Sequence, residues 1–366
     1  MRGVDEWGNR RGQARYTLTE TEHGDVWGTC DEVDGLFGEP DHETYELAGW
    51  VPEEGVGADG WVGSRVWLVP EDKALDPWLL SEAEALGPLP GRDCLLLSGV
   101  DDHEGPPGEY QSAVRVHDEH RWLGSCREFA HVVPDRWVAS PIVLRGLAPG
   151  TRLQQTLAAG TREALELNQA ALEIRDGRGG GRLTDRLLWG RVRGWRPSSR
   201  GADLIDLELD TELARPVPAY ARPVVERWLA GPPDTPGAWA DLDSRQRGAW
   251  LDLVRERACL RTVDDRPAGH TYVLDGRRIT DGPSLYLALG EAVNGPGGYF
   301  GGCLAAVDDC LGGTFGYSAP ATLVWEDAAT AREHLSRVLA PDGEPYDLFA
   351  EVLEVLAEGR MSVRLA

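Results

Sequence analysis

Short apolar runs bounded by Gly, Pro and Asp dominate the first part of the chain, at residues 64–69, 94–98, 112–116 and 137–144. Runs of that length between turn formers predict strands. Residues 79–86, rich in Leu, Ala and Glu, predict a helix, so this region reads as α+β with a strand-rich core. Residues 151–174 predict a longer helix, with Leu153, Leu157, Leu165 and Leu172 near helical spacing and the glycine-rich run 176–182 as its stop. Beyond it, Trp189, Arg191, Arg193 and Trp195 alternate along one strand, and Ile205, Leu207 and Leu209 along the next. Pro197, two serines and Gly201 supply the turn of this hairpin, which places Asp206 and Glu208 across from the arginines. Six prolines between Pro216 and Pro236 then interrupt the chain before a helix over 244–259.

The pattern changes after His270. Strands at 272–274, 321–325 and 361–365 alternate with helices at 283–293, 299–311, 327–339 and 346–358. Strands separated by helices need crossover connections, which predicts a three-stranded parallel sheet with packed helices. The expected organisation is therefore multidomain α/β and α+β. It divides into a strand-rich α+β region at 1–150, a connecting region of helix, hairpin and Pro-rich chain at 151–268, and an α/β domain at 269–366.

In the second of these helices Leu304, Val307 and Leu311 form an apolar face, leaving Ala305, Asp308 and Asp309 outside it. In the last, Asp347, Glu351, Glu354 and Glu358 fall on one face opposite the apolar stripe. Like charges at helical spacing destabilise by a few tenths of a kcal/mol per pair, so this face is mildly costly unless a basic surface docks on it. An ordinary solvated face of an acidic protein is the plainer alternative.

Charge sharpens the choice of partner. The 366 residues carry 61 acidic against 37 basic side chains, a net of −24, and residues 271–366 carry 14 against 6, a net of −8. Phosphate-backbone binding needs clustered Lys and Arg, so nucleic acid is disfavoured as a direct partner and a basic protein is favoured. No apolar run is long enough to span a membrane, and the first residues lack the apolar stretch of a signal peptide, which makes a cytoplasmic location the expectation. The six cysteines form no CxxC pair and are expected as thiols.

Other chemistry-bearing groups carry weaker signals. His117, His120, Cys126 and His131 are of metal-ligating type, but their spacing fits no closed zinc site and reads as a polar loop. The acidic run 101–104 lacks the spacing of a calcium loop, and the glycines of 177–181 lack the Lys-Ser/Thr of a phosphate-binding loop. No cofactor or metal is expected.

The segments YVLDGRRITDGPSLYLALGEAV, GYFGGCLAAVDDCLGG, PATLVW and YDLFAEVLEVLAEGRMSVRL resemble, in order and spacing, the barstar family of intracellular inhibitors of the ribonuclease barnase. The resemblance implies a non-catalytic domain that plugs a basic, phosphate-binding ribonuclease site with helix-borne carboxylates. It implies that Tyr299 starts the binding segment, that Asp309 is the principal acidic residue, and that Glu354 is the acidic contact of the last helix. It also marks departures: Ala305 stands where the family has a second carboxylate, and Asp308, one turn away, stands at a tryptophan position. The loop before Pro320 is about two residues longer than the family's, with Phe315 and Tyr317 where the family has an aromatic residue. The sequence reading is therefore an inhibitor or immunity protein using Tyr299, Asp308, Asp309 and Glu354. Two alternatives stay open: an enzyme or binding protein whose N-terminal region holds the activity while this domain docks or regulates, and a purely structural module.

Overall fold

Closed antiparallel strand rings build the first two thirds of the chain. The computed structural model describes residues 14–38, 42–57, 59–89, 91–101, 106–107, 110–132, 141–158, 169–178, 180–213 and 216–366. Parts of four expected features fall outside these residues: the strand at 137–144, the helix at 151–174, the acidic run at 101–104 and the glycine run at 177–181. The chain divides into two compact units, one of Met1–Pro40, Val138–Asp234 and Glu256–Arg261, the other of Asp41–Trp137, Thr235–Arg255 and Thr262–Ala366.

In the first unit, Ile205–Leu213 pairs with Arg182–Pro197, then in turn come Ala170–Arg175, Tyr16–Glu20, Val26–Cys30 and Ile142–Pro149. The last of these pairs back with Ile205–Leu213, so six strands close a barrel. Closure leaves no open edge and sends alternate side chains inward. Leu18, Leu144, Leu172, Leu188, Leu207 and Leu209 are buried, while Trp189, Arg191, Arg193 and Trp195 point out. The expected hairpin is present: Asp206 lies opposite Arg196, and Arg191 and Arg193 pair with Asp210 and Glu208 at 3.1 Å each.

The expected helix at 151–174 is corrected. Among its described residues Thr151–Ala158 is helical, and Ala170–Arg175 is a barrel strand whose Leu172 and Ile174 are buried between two antiparallel partners. The run from Asp176 is accordingly a strand turn, closed by amides of Arg178 and Gly181 donating to the Asp176 carboxylate.

The second unit holds another ring. Its strands Glu43–Ala48 and Val51–Pro52 keep one register against Glu128–Val132 and Trp122–Cys126, from Thr44 opposite Val132 to Pro52 opposite Gly124. Each pair of short strands thus acts as one bent strand. With Asp59–Pro70, Trp78–Gly87, Cys94–Asp101 and Val114–His117 they complete a six-membered circuit around Tyr45, Leu68, Leu80, Leu97, Val116 and Phe129. Trp78–Gly87 replaces the helix expected at 79–86. Pairing on both sides overrides the helical propensity of Ala, Leu and Glu. Glu82, at φ 52°, marks an irregularity in the pairing, which lets Trp78 and Leu80 before it and Ala83 and Ala85 after it all face the core.

The rest of that unit is the α/β domain: β1 (Thr271–Asp275), α1 (Gly282–Asn294), α2 (Leu304–Leu311), β2 (Ala321–Glu326), α3 (Ala328–Leu335), β3 (Val338–Leu339), β4 (Pro345–Tyr346), α4 (Leu348–Glu358) and β5 (Met361–Leu365). The three long strands form the expected parallel sheet in the order β1–β2–β5. Three helices are shorter than their patterns predicted. Residues 338–339 and 345–346 pair as an antiparallel hairpin instead of extending α3 and α4. The glycines at 301 and 302 delay α2 to Leu304, with Cys303 as its N-cap.

This domain is seated on the second ring. The amide of Leu339 donates to the Glu119 carbonyl at 2.6 Å, and the Trp122 ring packs on Gly343. His117 is fully buried there; its Nδ1 accepts from the Glu119 amide at 3.2 Å, so its Nε2–H donates to the Pro341 carbonyl at 3.1 Å. The helix Ser244–Cys259 adds Arg245, 2.6 Å from Glu82, and Arg247, 2.5 Å from the buried Asp281 that caps α1. Burial pushes the Asp281 carboxyl up, but the Arg247 guanidinium and Ser284 outweigh it and hold the group below its ordinary range. Among the described residues no helix is long and apolar enough to cross a membrane.

Candidate functional site

The acidic helix faces predicted from the sequence lie on two helices that pack on one another, α2 and α4. In α2 the buried residues are Val307, Cys310 and Leu311, which turns Ala305, Asp308 and Asp309 to solvent. Burial, with the adjacent Asp309 charge as a smaller contribution, pushes the Cys310 thiol up to about 12, so it stays a neutral packing group. In α4 Phe349, Val352 and Leu356 are buried and Glu354 and Glu358 are exposed. Asp347 plays a different part, since its carboxylate accepts the Ala350 amide at 2.9 Å and caps α4. Glu351, in the first turn, favours the helix dipole, whereas Glu358 at the far end opposes it.

Asp308, Asp309 and Glu354 have no ion-pair partner among the described residues. Arginines of the same unit are taken up in pairs such as Arg65–Glu119, Arg92–Glu46, Arg245–Glu82 and Arg247–Asp281.

Tyr299 is half-buried, ahead of α2 and not on it. Its ring meets Phe315 edge-on, with centroids 6.4 Å apart and planes at 62°. Asn294, at the end of α1, donates through Nδ2 to the carbonyls of both Tyr299 (2.7 Å) and Phe315 (2.9 Å). Residues 269–359 match the family model Barstar (barnase inhibitor). The match covers about a quarter of the chain and contains every residue of this face. No curated protein matches the chain.

Within the Barstar segment the structure brings Asp308 and Asp309 onto one helix face, with Glu354 on the helix packed beside it and Tyr299 at the loop leading in. Tyr317, by contrast, is fully buried and donates to the Gly359 carbonyl at 2.6 Å, so it belongs to the core while Phe315 is the half-buried aromatic beside Tyr299. Asn294 escaped the sequence reading. An isolated Asn before a glycine reads only as a helix end, and the two carbonyls it joins are distant in sequence.

The metal-type residues of the second ring do not converge. His117 is spent at the seam, Cys126 is in the ring's core, His120 is exposed and His131 lies 2.5 Å from Glu43. The described group compact enough to hold a metal ion is Glu20, Glu22 and His23, where Glu20 is already paired with Arg152 at 2.5 Å.

Proposed function

We propose that the chain is a non-catalytic inhibitor, of immunity type, whose Barstar segment docks on the basic active site of a ribonuclease. The supporting observation is the set of exposed, unpaired carboxylates Asp308, Asp309 and Glu354 on two mutually packed helices. Carboxylates on rigid elements lose little entropy when they meet Arg and Lys, and they mimic the phosphates that such a site binds. The net −8 of residues 271–366 adds a field that speeds encounter with a cationic partner. Asp308 supplies the charge that Ala305 lacks, so the preferred enzyme is one whose basic cluster is shifted toward the end of α2. A titration of barnase activity with the full-length chain, repeated with Asp309→Ala, tests the reading; undiminished ribonuclease activity at micromolar chain would sink it for this enzyme.

A second reading, activity in the N-terminal region, is favoured by one feature. Glu43, Tyr45, Asp101, Tyr110, Phe129 and His131 line a recess of about 280 Å³ in the second ring. Tyr45 donates to Asp101 at 2.7 Å, and burial pushes the Asp101 carboxyl up. An activity that survives neutralisation of Asp308, Asp309 and Glu354 would support this reading over the first.

A further inference from the structure

The turn from Gly312 to Gly316 joins α2 to the approach of β2 and carries Phe315, the ring that meets Tyr299. It does not hold itself. Gly313, Thr314 and Gly316 all have positive φ, at 105°, 71° and 86°, and Thr314 pays a steric penalty there that a glycine avoids. From one side Asn294 grips the Phe315 carbonyl. From the other, the chain that precedes the Barstar segment lies along the turn: Val263 bridges Phe315, and the Arg266 amide donates to the Gly316 carbonyl at 3.3 Å. Asp265 supplies the strongest of these ties. Its Oδ2 accepts the Thr314 amide and its Oδ1 the Gly316 amide, each at 2.9 Å. One carboxylate thus satisfies two amides flanking Phe315, and charge-assisted bonds of this kind are about twice as strong as neutral ones.

We propose that Asp265 is a positioning residue of the docking face: by clamping the 313–316 turn it seats Phe315 against Tyr299, so the partner-binding unit begins near Val263 and not at the matched residue 269. The proposal rests on the docking reading and extends it, because it makes the Tyr299–Phe315 pair a rim beside the carboxylates of α2. Asp265 touches none of those carboxylates. Its loss leaves the charge that steers encounter in place and removes the order of the aromatic rim. The effect therefore falls on residence time and not on association.

The test uses the full chain carrying Asp265→Ala, Asp265→Asn and, as a control on the neighbouring exposed carboxylate, Asp264→Ala. Amide hydrogen exchange is read at Thr314 and Gly316 against Leu323 and Val324 of β2, and binding kinetics are read with barnase as the probe. The expected result for Asp265→Ala is exchange at least ~10-fold faster at Thr314 and Gly316 only, and dissociation ~10-fold faster with association within about twofold of the parent. Asparagine keeps one acceptor oxygen and falls between; Asp264→Ala changes neither readout. Unchanged exchange at the two amides overturns the clamp, and faster exchange with unchanged dissociation overturns its place in the docking face. If the parent chain fails to bind barnase, the docking half falls with the reading it rests on, and the exchange result alone still decides the clamp.

Discussion

Replacing Asp309 by alanine separates binding from folding more cleanly than any other single change on the face. The side chain is exposed, has no ion-pair partner among the described residues and stands next to Asp308. Its removal orphans no group and relieves some repulsion, so folding stability should move by less than ~0.5 kcal/mol in either direction. At a docked interface the same carboxylate meets a cation in a drying environment. Cutting such a pair costs about 2 to 5 kcal/mol, most of it the cost of leaving the opposite charge buried and unpaired. At ~1.4 kcal/mol per decade this is a loss of roughly 30-fold to 4,000-fold in affinity. The assay is a ribonuclease-inhibition titration together with dissociation kinetics, alongside thermal unfolding of the same sample. Affinity within twofold of the parent at an unchanged Tm would refute the reasoning. A drop in Tm of many degrees would instead place Asp309 in the fold.

Other consequences follow from the same geometry. Association with a basic ribonuclease should slow steeply between 0.05 and 1 M salt, roughly as the screening length shrinks toward ~3 Å, while dissociation changes little; stopped-flow mixing reads both. Burial holds the His117 pKa below the ordinary histidine value. The native chain therefore keeps a neutral ring, full stability is present above about pH 6.5, and it declines as pH falls toward the lowered value, where the Nδ1 that accepts from Glu119 must take a proton. Urea unfolding at pH 7.5 and 5.5 should register the decline, and His117→Gln should flatten it. Asp281→Ala removes the cap of α1 and strands the largely buried Arg247, for a loss of about 3 to 5 kcal/mol in chemical unfolding.

The α/β domain was legible because its elements are locally encoded. β1, β2 and β5 are apolar runs flanked by turn formers, and α1 opens on a capping box of Asp281 and Ser284 with Pro283 in its first turn. The acidic residues at 308, 309 and 354 could be placed outward from helical spacing alone. The strand rings were not legible. Residues 79–86 carry the composition of a helix, and only partners at 59–70 and 94–101 make them a strand. Likewise the single register running through Gly49 and Trp50 is a property of two distant segments together. Asp265 was hidden for the same reason: in a polar joint it reads as a solvated acid, and its meaning lies in two amides some fifty residues away.

The nesting of the two rings sets an order of events at the ribosome. The first ring begins at Tyr16 and is not closed until Ile205–Leu213 has emerged, whereas the second, inserted after its early strands, is complete once Val132 is out. The insert therefore finishes before its host. At about 5 to 20 residues per second, the outer edge of Tyr16–Glu20 in the hairpin Tyr16–Cys30 waits roughly 2 to 9 s beyond that point for its partner Ala170–Arg175. Such edges are templates for foreign strands, so the yield of native chain should depend on translation speed and on chaperones that cover the hairpin, independently of how stable the finished rings are.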